Sequence, residues 1–454
     1  MVGLFPDSEG ECRLLDAGAG IGSLSSAFLE RCSTRSLNFS EIRLKAFELD
    51  DSIHEELRFS LSQFNTRSRF SFEIIGNDFI ESAVNAIQFK EFDFTHAILN
   101  PPYKKISSLS RARLLLRELG IETVNLYSAF VALAIALAAT GGQIVAIIPR
   151  SFCNGPYYRP FRDFILEYAA IRHIHLFESR NKAFRDDAVL QENIIIRLER
   201  DGQPGPVTVT TSTDDTFSDL ATNEYPFDRI VFPYDLERFI HVPTSPGNDR
   251  IEASPAIYCT LNDLGLQVST GPVVDFRLKE HLRSMPEPGT VPLLYPVHFN
   301  GSRTAWPIEG SKKPNAIVRN AGTEKWLYPN AFYCVVRRFS AKEEKRRIVA
   351  SVVKPGVFGD AVMLGFENHL NLFHDHKRGL PEALAHGLAT YLNTTVVDEH
   401  FRRFNGHTQV NATDLRQIRY PDRAALIELG EWAMRQGGEL IQSAVDDRLR
   451  TLIA

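Results

Sequence analysis

The chain has 454 residues, of which 44% are hydrophobic and 24% charged, and its formal net charge is −5. That length allows two or three domains with sizeable cores, and the composition is that of an ordinary soluble protein. The charge excludes a uniform polycation holding nucleic acid over its whole surface.

Apolar strand-like runs recur at Leu14–Gly18, Ile42–Glu48, Phe72–Asp78, Thr95–Leu99, Gln143–Pro149, Ile171–Phe177 and Asn193–Leu198, with helical patterns between them. Such alternation predicts an α/β fold with a parallel, doubly wound sheet. The first run opens into Asp16-Ala17-Gly18-Ala19-Gly20-Ile21-Gly22. Dinucleotide-binding turns need their third glycine one position later, where this chain has Ser23. The spacing therefore favours a nucleoside-type ligand, which the bare backbone at Gly18 and Gly20 can approach closely. Asp16, at the strand end, is placed to meet a cationic amino group or a water beside it. Glu48 ends the second run, where a carboxylate can accept hydrogen bonds from both ribose hydroxyls; Asp50 and Asp51 are the nearby alternatives. Asp78 and Phe79 follow the third run.

The fourth run ends in Asn100-Pro101-Pro102-Tyr103. The lone pair of an exocyclic amine is delocalised into its ring, so the nitrogen is a poor nucleophile until acceptors hold it as it pyramidalises. The Asn100 side-chain carbonyl and the Pro101 main-chain carbonyl can each accept one amino hydrogen. The prolines stiffen the turn, so both acceptors stand in place before reaction. Tyr103 offers a ring face for a base, and Lys104 and Lys105 could meet flanking phosphates. Leu126–Ala139 is the most apolar run; at about fourteen residues it is too short to cross a bilayer and predicts a buried helix. The five cysteines are scattered without metal-ligand spacing and read as reduced, mostly buried thiols of a cytoplasmic protein.

The glycine turn followed by this tetrapeptide resembles the N6-adenine DNA methyltransferases of type II restriction-modification systems, in the gamma arrangement where the cofactor motif comes first. The resemblance extends over nearly the whole chain. It implies a seven-stranded Rossmann-like sheet whose last strand inserts antiparallel, with S-adenosyl-L-methionine as cofactor and no metal. Asp16, Gly18, Gly20, Gly22, Glu48, Asp78, Phe79 and Asn100 would hold the cofactor, Asp78 on the adenine amine and Phe79 over its ring. The substrate implied is an adenine rotated out of double-stranded DNA, stacked between Tyr103 and Phe184. Relatives carry a helix and a Phe-containing segment ahead of the glycine turn, of which Met1-Val2-Gly3-Leu4-Phe5-Pro6 resembles the middle, so weak cofactor affinity is expected of the chain as given. A cognate endonuclease is expected on a separate chain, and no membrane is involved. Two other readings stay open: methylation of a protein glutamine, and a catalytically silent DNA-binding subunit.

The catalytic domain is expected over 1–200 and an irregular crossing over 201–250, where nine acids face three basic residues. An α+β target-recognition domain is expected over 251–454. Within it, Val268-Ser269-Thr270-Gly271 with Asp275-Phe276-Arg277, and the stretch from Arg403 to Leu415, resemble family segments. From Lys312 to Arg347 ten basic residues stand against three acids. This asymmetry predicts a DNA face that includes Arg337, Arg338, Arg346 and Arg347; the competing reading is a solvated, salt-bridged helix over Ala341–Val349.

Overall fold

Every one of the seven apolar runs forms a strand, and the reason is burial on both faces. Along β1 (Ser8–Ala17) the last four side chains, Leu14, Leu15, Asp16 and Ala17, are all completely buried, as expected of a parallel strand covered by helices on each side. The computed structural model describes residues 1–33, 37–64, 69–91, 93–177, 192–233, 235–243, 254–300, 303–340, 344–405, 409–438 and 440–453. It divides into two units, Met1–Pro246 and Gly247–Ala454.

The first unit is built on β1, β2 (Leu37–Phe47), β3 (Phe70–Ile75), β4 (Phe94–Leu99), β5 (Ala138–Pro149), β6 (Ala169–Phe177), β7 (Asn193–Arg200), β8 (Val207–Ser212) and β9 (Ala221–Tyr225). They form one nine-stranded sheet in the order β3-β2-β1-β4-β5-β7-β6-β8-β9. The first five strands are mutually parallel, and β7 inserts antiparallel between β5 and β6. The helices include α1 (Ser23–Ser33), α2 (His54–Ser62), α3 (Phe79–Phe89), α4 (Arg111–Glu118), α5 (Leu126–Leu137) and α6 (Arg159–Tyr168). The run at Leu126 is the expected buried helix: in α5 only Leu126 and Ala136 escape full burial. Such all-round apolarity marks a helix enclosed on every side.

Two expectations are corrected. The stretch 201–250 is not an irregular crossing throughout, because β8 pairs parallel with β6 and β9 antiparallel with β8, so the sheet has nine strands rather than seven. The β-branched series Val207-Thr208-Val209-Thr210-Thr211 favours a strand, a signal hidden by the neighbouring Pro, Gly and Asp. Nor does a helix run through Ala341–Val349: its described part, 344–349, is non-helical, and Ala341–Glu343 lie outside the described residues.

The second unit holds a four-stranded antiparallel sheet (Gln267–Thr270, Leu370–His374, Tyr333–Arg337, Ala350–Val353). Beside it lies a five-stranded sheet of Leu282–Arg283, Ala316–Val318, Thr290–Leu294, Met363–Phe366 and Leu327–Pro329. Leu294, Tyr328, Tyr333, Val335, Phe366 and Leu372 form part of one core. The helices Glu382–Leu392 and Arg423–Arg435 meet at glycines: a Cβ on Gly387 would fall 1.8 Å from the Leu426 carbonyl oxygen, and one on Gly430 1.8 Å from that of Ala383. A methyl there has no room without separating the helices. Gly387→Ala is expected to destabilise the second unit by about 1–3 kcal/mol or more, despite alanine's higher helix propensity, and thermal melting of the purified variant checks it.

Candidate active site at the carboxyl ends of the first and fourth strands

Strands β1 and β4 are parallel neighbours with Asp16 opposite Ile98. Their following turns, the glycine turn and the Asn-Pro-Pro-Tyr turn, therefore leave the same sheet edge side by side, where open α/β sheets bind ligands. The glycine turn is hung on the end of β2: the amides of Gly18 and Ala19 both donate to the Phe47 carbonyl at 2.9 Å. Gly18, Gly20 and Gly22 all have positive φ, of 80°, 56° and 85°. A Cβ on Gly18 would stand 3.9 Å from the Asn100 carbonyl oxygen and 3.9 Å from Cε1 of Phe130.

Glu48 braces this turn. Its Oε2 accepts from the Gly20 amide at 2.8 Å and its Oε1 from the Asp50 amide at 2.9 Å. Asp16 is wholly buried; its Oδ2 accepts from Ser25 Oγ at 2.5 Å, while Oδ1 has no hydrogen-bond partner among the described residues. Burial pushes the Asp16 carboxyl up to about 7, with the Glu48 charge adding to the shift. A buried acceptor without a donor is costly unless a ligand supplies one, and a cationic amino group would supply both donor and charge.

Asn100 is exposed at the end of β4. The Tyr103 hydroxyl stands 3.4 Å from Asn100 Oδ1 and 3.2 Å from the Ile147 carbonyl, as donor to both, and the Tyr103 ring packs edge-on against buried Tyr127 at 6.1 Å. Lys104 and Lys105 are exposed, and their backbone is clamped to the start of α5: the Leu126 amide donates to the Lys104 carbonyl at 2.8 Å, and Lys105 bridges Asn125. Asp78 caps α3, its Oδ1 accepting from the Glu81 amide at 3.0 Å. Phe79 is buried in the core, edge-on to Phe47 and tilted against Phe130, with centroids 5.1 and 4.8 Å away. Phe184 lies outside the described residues.

Sequence reasoning missed three contributors. Ser25 orients Asp16 from α1. Phe130, hidden in the apolar run of α5, reaches the glycine turn, and an aromatic among alanines and valines was the signal available. Arg150 and Glu192 form a buried ion pair of 3.1 Å that ties the end of β5 to the residue before β7.

Of the four arginines expected on a DNA face, one is buried and three are part-buried. Arg347 is 1% exposed; it donates to Ser340 Oγ at 3.2 Å and Asn405 Oδ1 at 2.8 Å and stacks on Phe401. Arg346 is half-buried and donates to the Thr394 carbonyl at 3.3 Å. Arg337 pairs with Glu344, and Arg338 donates to the Asn368 carbonyl and Gln409 Oε1, both at 3.2 Å. Arg347 is thus withdrawn from the expected DNA face, because a charge inside a fold must be partnered there. The stretch from Arg403 to Leu415 serves the same interior: buried Asp414 accepts from the Asn411 amide and Asn405 Nδ2 at 2.8 and 2.9 Å. Gly406, His407 and Thr408 lie outside the described residues. No group of three or more His, Cys, Asp or Glu residues that could hold a metal ion occurs among the described residues. No helix there is long and apolar enough to cross a membrane.

A twisted parallel sheet with an antiparallel β7, carrying a glycine turn and an Asn-Pro-Pro-Tyr turn on adjacent strand ends, defines a methyltransferase. The profile of the Eco57I restriction-modification methylase family matches residues 26–184. Type II methyltransferase M.BsuBI of Bacillus subtilis is 51% identical, the match covering 100% of this chain and 91% of that protein. Type II methyltransferase M.PstI of Providencia stuartii is 42% identical, covering 98% and 89%. The Type IIL restriction-modification enzyme MmeI, solved in complex with DNA, shares the fold at 10% identity with a TM-score of 0.54, over 97% of this chain and 69% of that one. The chain belongs to the type II methyltransferases of restriction-modification systems.

Two predictions follow from the buried charges. The folded-state pKa of Asp16 lies above its ordinary 3.8, so the folded chain holds an extra proton between the two values. Its stabilising effect is full below about pH 4 and lost as pH rises through about 7. Asp16→Asn should therefore gain stability relative to the unsubstituted chain on going from pH 5 to pH 8, read by thermal melts at both pH values. Arg347→Ala should cost about 1–3 kcal/mol in urea denaturation while leaving the salt slope of DNA binding unchanged.

Proposed function

We propose that the chain transfers a methyl group from S-adenosyl-L-methionine to the N6 amino group of an adenine rotated out of duplex DNA, as the modification enzyme of a restriction-modification system. The observation that carries this reading is the β1–β4 pairing, which puts the Asn100 main-chain carbonyl within van der Waals reach of the Gly18 position. That MmeI was solved with DNA, and that M.BsuBI and M.PstI are type II methyltransferases, supports duplex DNA as the partner.

The residues fit the cofactor. Asp16 Oδ1, buried and without a donor, suits its amino group; Glu48, already holding the turn, has acceptor capacity left for ribose hydroxyls; Asp78 has its second carboxylate oxygen for an adenine amine. When bound, the cofactor supplies a methyl already activated by its sulfonium. Asn100 Oδ1 and the Pro101 carbonyl hold the two amino hydrogens of the target base, drawing the nitrogen out of conjugation as it attacks. The Tyr103 hydroxyl, shared between Asn100 and the Ile147 carbonyl, keeps the ring at one angle for stacking, and Lys104 and Lys105 meet flanking phosphates. Positioning supplies most of the rate effect, since donor and acceptor need only alignment.

Asn100→Ala should lower methylation of plasmid DNA by labelled cofactor about a thousandfold or more, losing acceptor and alignment together, with calorimetric cofactor binding little changed. Near-normal turnover would refute the assignment. Tyr103→Ala should lose roughly 1–3 kcal/mol of stacking, and Tyr103→Phe much less. Label appearing in protein rather than DNA would point instead to glutamine methylation.

A further inference from the structure

With Arg347 withdrawn, the second unit's strongest candidate contact with DNA lies at the turn between Met363–Phe366 and Leu370–His374, strands of two different sheets, where Glu367-Asn368-His369 stands. Glu367 is completely buried, yet its carboxylate reaches His369 three ways: Oε2 accepts from the His369 amide at 2.9 Å, and Oε1 and Oε2 lie 2.6 and 2.7 Å from Nδ1. The imidazole face rests on the ring of Phe339, centroids 4.9 Å apart and tilted by 38°. Edge and face are both held, while the His369 side chain stays 39% exposed and Nε2 makes no hydrogen bond to another described residue. Phe339 is 41% exposed. A turn that needed only folding would not require a buried carboxylate to aim a surface imidazole; a carboxylate behind a histidine fixes its orientation for something outside.

The surroundings indicate the class of partner. The two segments singled out in the sequence, distant along the chain, converge on this turn. A Cβ on Gly271 would fall 2.2 Å from the Glu367 carbonyl, and buried Asn371 accepts from Thr270 Oγ1 at 3.0 Å and donates to the Val410 carbonyl at 2.7 Å. Just beyond Gly271 an exposed Phe276 carries the Arg277 guanidinium over its ring, and Arg338 donates its amide to the His369 carbonyl at 2.8 Å. A rigid imidazole resting on an exposed ring is equipped to meet the edge of a base.

We propose that His369 is a specificity-determining residue: its Nε2 contacts the edge of one base pair of the recognition sequence, with Glu367 as its positioning residue. The proposal rests on the DNA-binding part of the reading above, and the test is chosen to separate the two. Duplexes bound by the full-length chain are selected from a random-sequence library, which needs no methyl transfer, and selection is repeated with His369→Ala and His369→Gln. The original chain should enrich one short sequence. His369→Ala should enrich the same sequence with one base-pair position relaxed, affinity for the original site falling about tenfold. Gln, which keeps a donor and an acceptor, should restore a preference at that position. An unaltered sequence preference in both variants would overturn the proposal. So would an equal loss on all sequences with a flatter salt dependence, the mark of a phosphate contact, or a chain that enriches no sequence at all. A chain that enriches a sequence but methylates nothing would refute the proposed reaction and leave this contact standing.

Discussion

The candidate site depends on the pairing of β1 with β4. Parallel neighbours end on the same side of a sheet, and the register that sets Asp16 opposite Ile98 brings two turns, some eighty positions apart in the chain, to adjacent strand ends. Everything else at the site secures that placement. The Phe47 carbonyl holds two amides of the glycine turn, Glu48 holds a third, and Ser25 fixes one oxygen of Asp16. α5, buried on nearly all sides, backs the turn with Phe130 and Tyr103 with Tyr127. The loops can be precise because the strands beneath them are buried on both faces and have no freedom to slip, since a shift of one residue would turn every side chain over.

Buried charge is the second organising constraint, and it takes two forms. In the first, Asp16 is buried with one oxygen unpartnered, and burial pushes its carboxyl up to about 7. That is the signature of a group arranged for a ligand. In the second, Arg347, Asn405 and Asp414 lie in one network in which Asn405 bridges the other two. That is the signature of a group arranged for the fold. Glu367 stands between these cases: buried like Arg347, but directed at a side chain that remains half outside.

How far the chain could be read from its residues follows from which signals are local. Each of the seven apolar runs became a strand, and the antiparallel insertion of β7 agrees with what the family resemblance implied. The glycine turn was legible because its positive φ values demand glycine. β8 and β9 were missed because turn-forming residues around them outweighed a short threonine-rich alternation.

Local chemistry, strand period and motif spacing were thus determined by the sequence alone, since they depend on neighbours a few positions away. What only the tertiary structure decided is the environment of each charged or aromatic side chain. A run with ten basic residues looks the same in sequence whether its arginines face solvent or, like Arg347, close an internal network through Asn405 and Phe401. Phe79 next to Asp78 gives no sign in sequence of the aromatic packing it joins, against Phe47 and Phe130. Burial is set by segments that meet from far along the chain, as Glu367, Gly271 and Asn371 do, and it is burial that decides whether a charge must find a partner inside the fold or is left to meet one from outside.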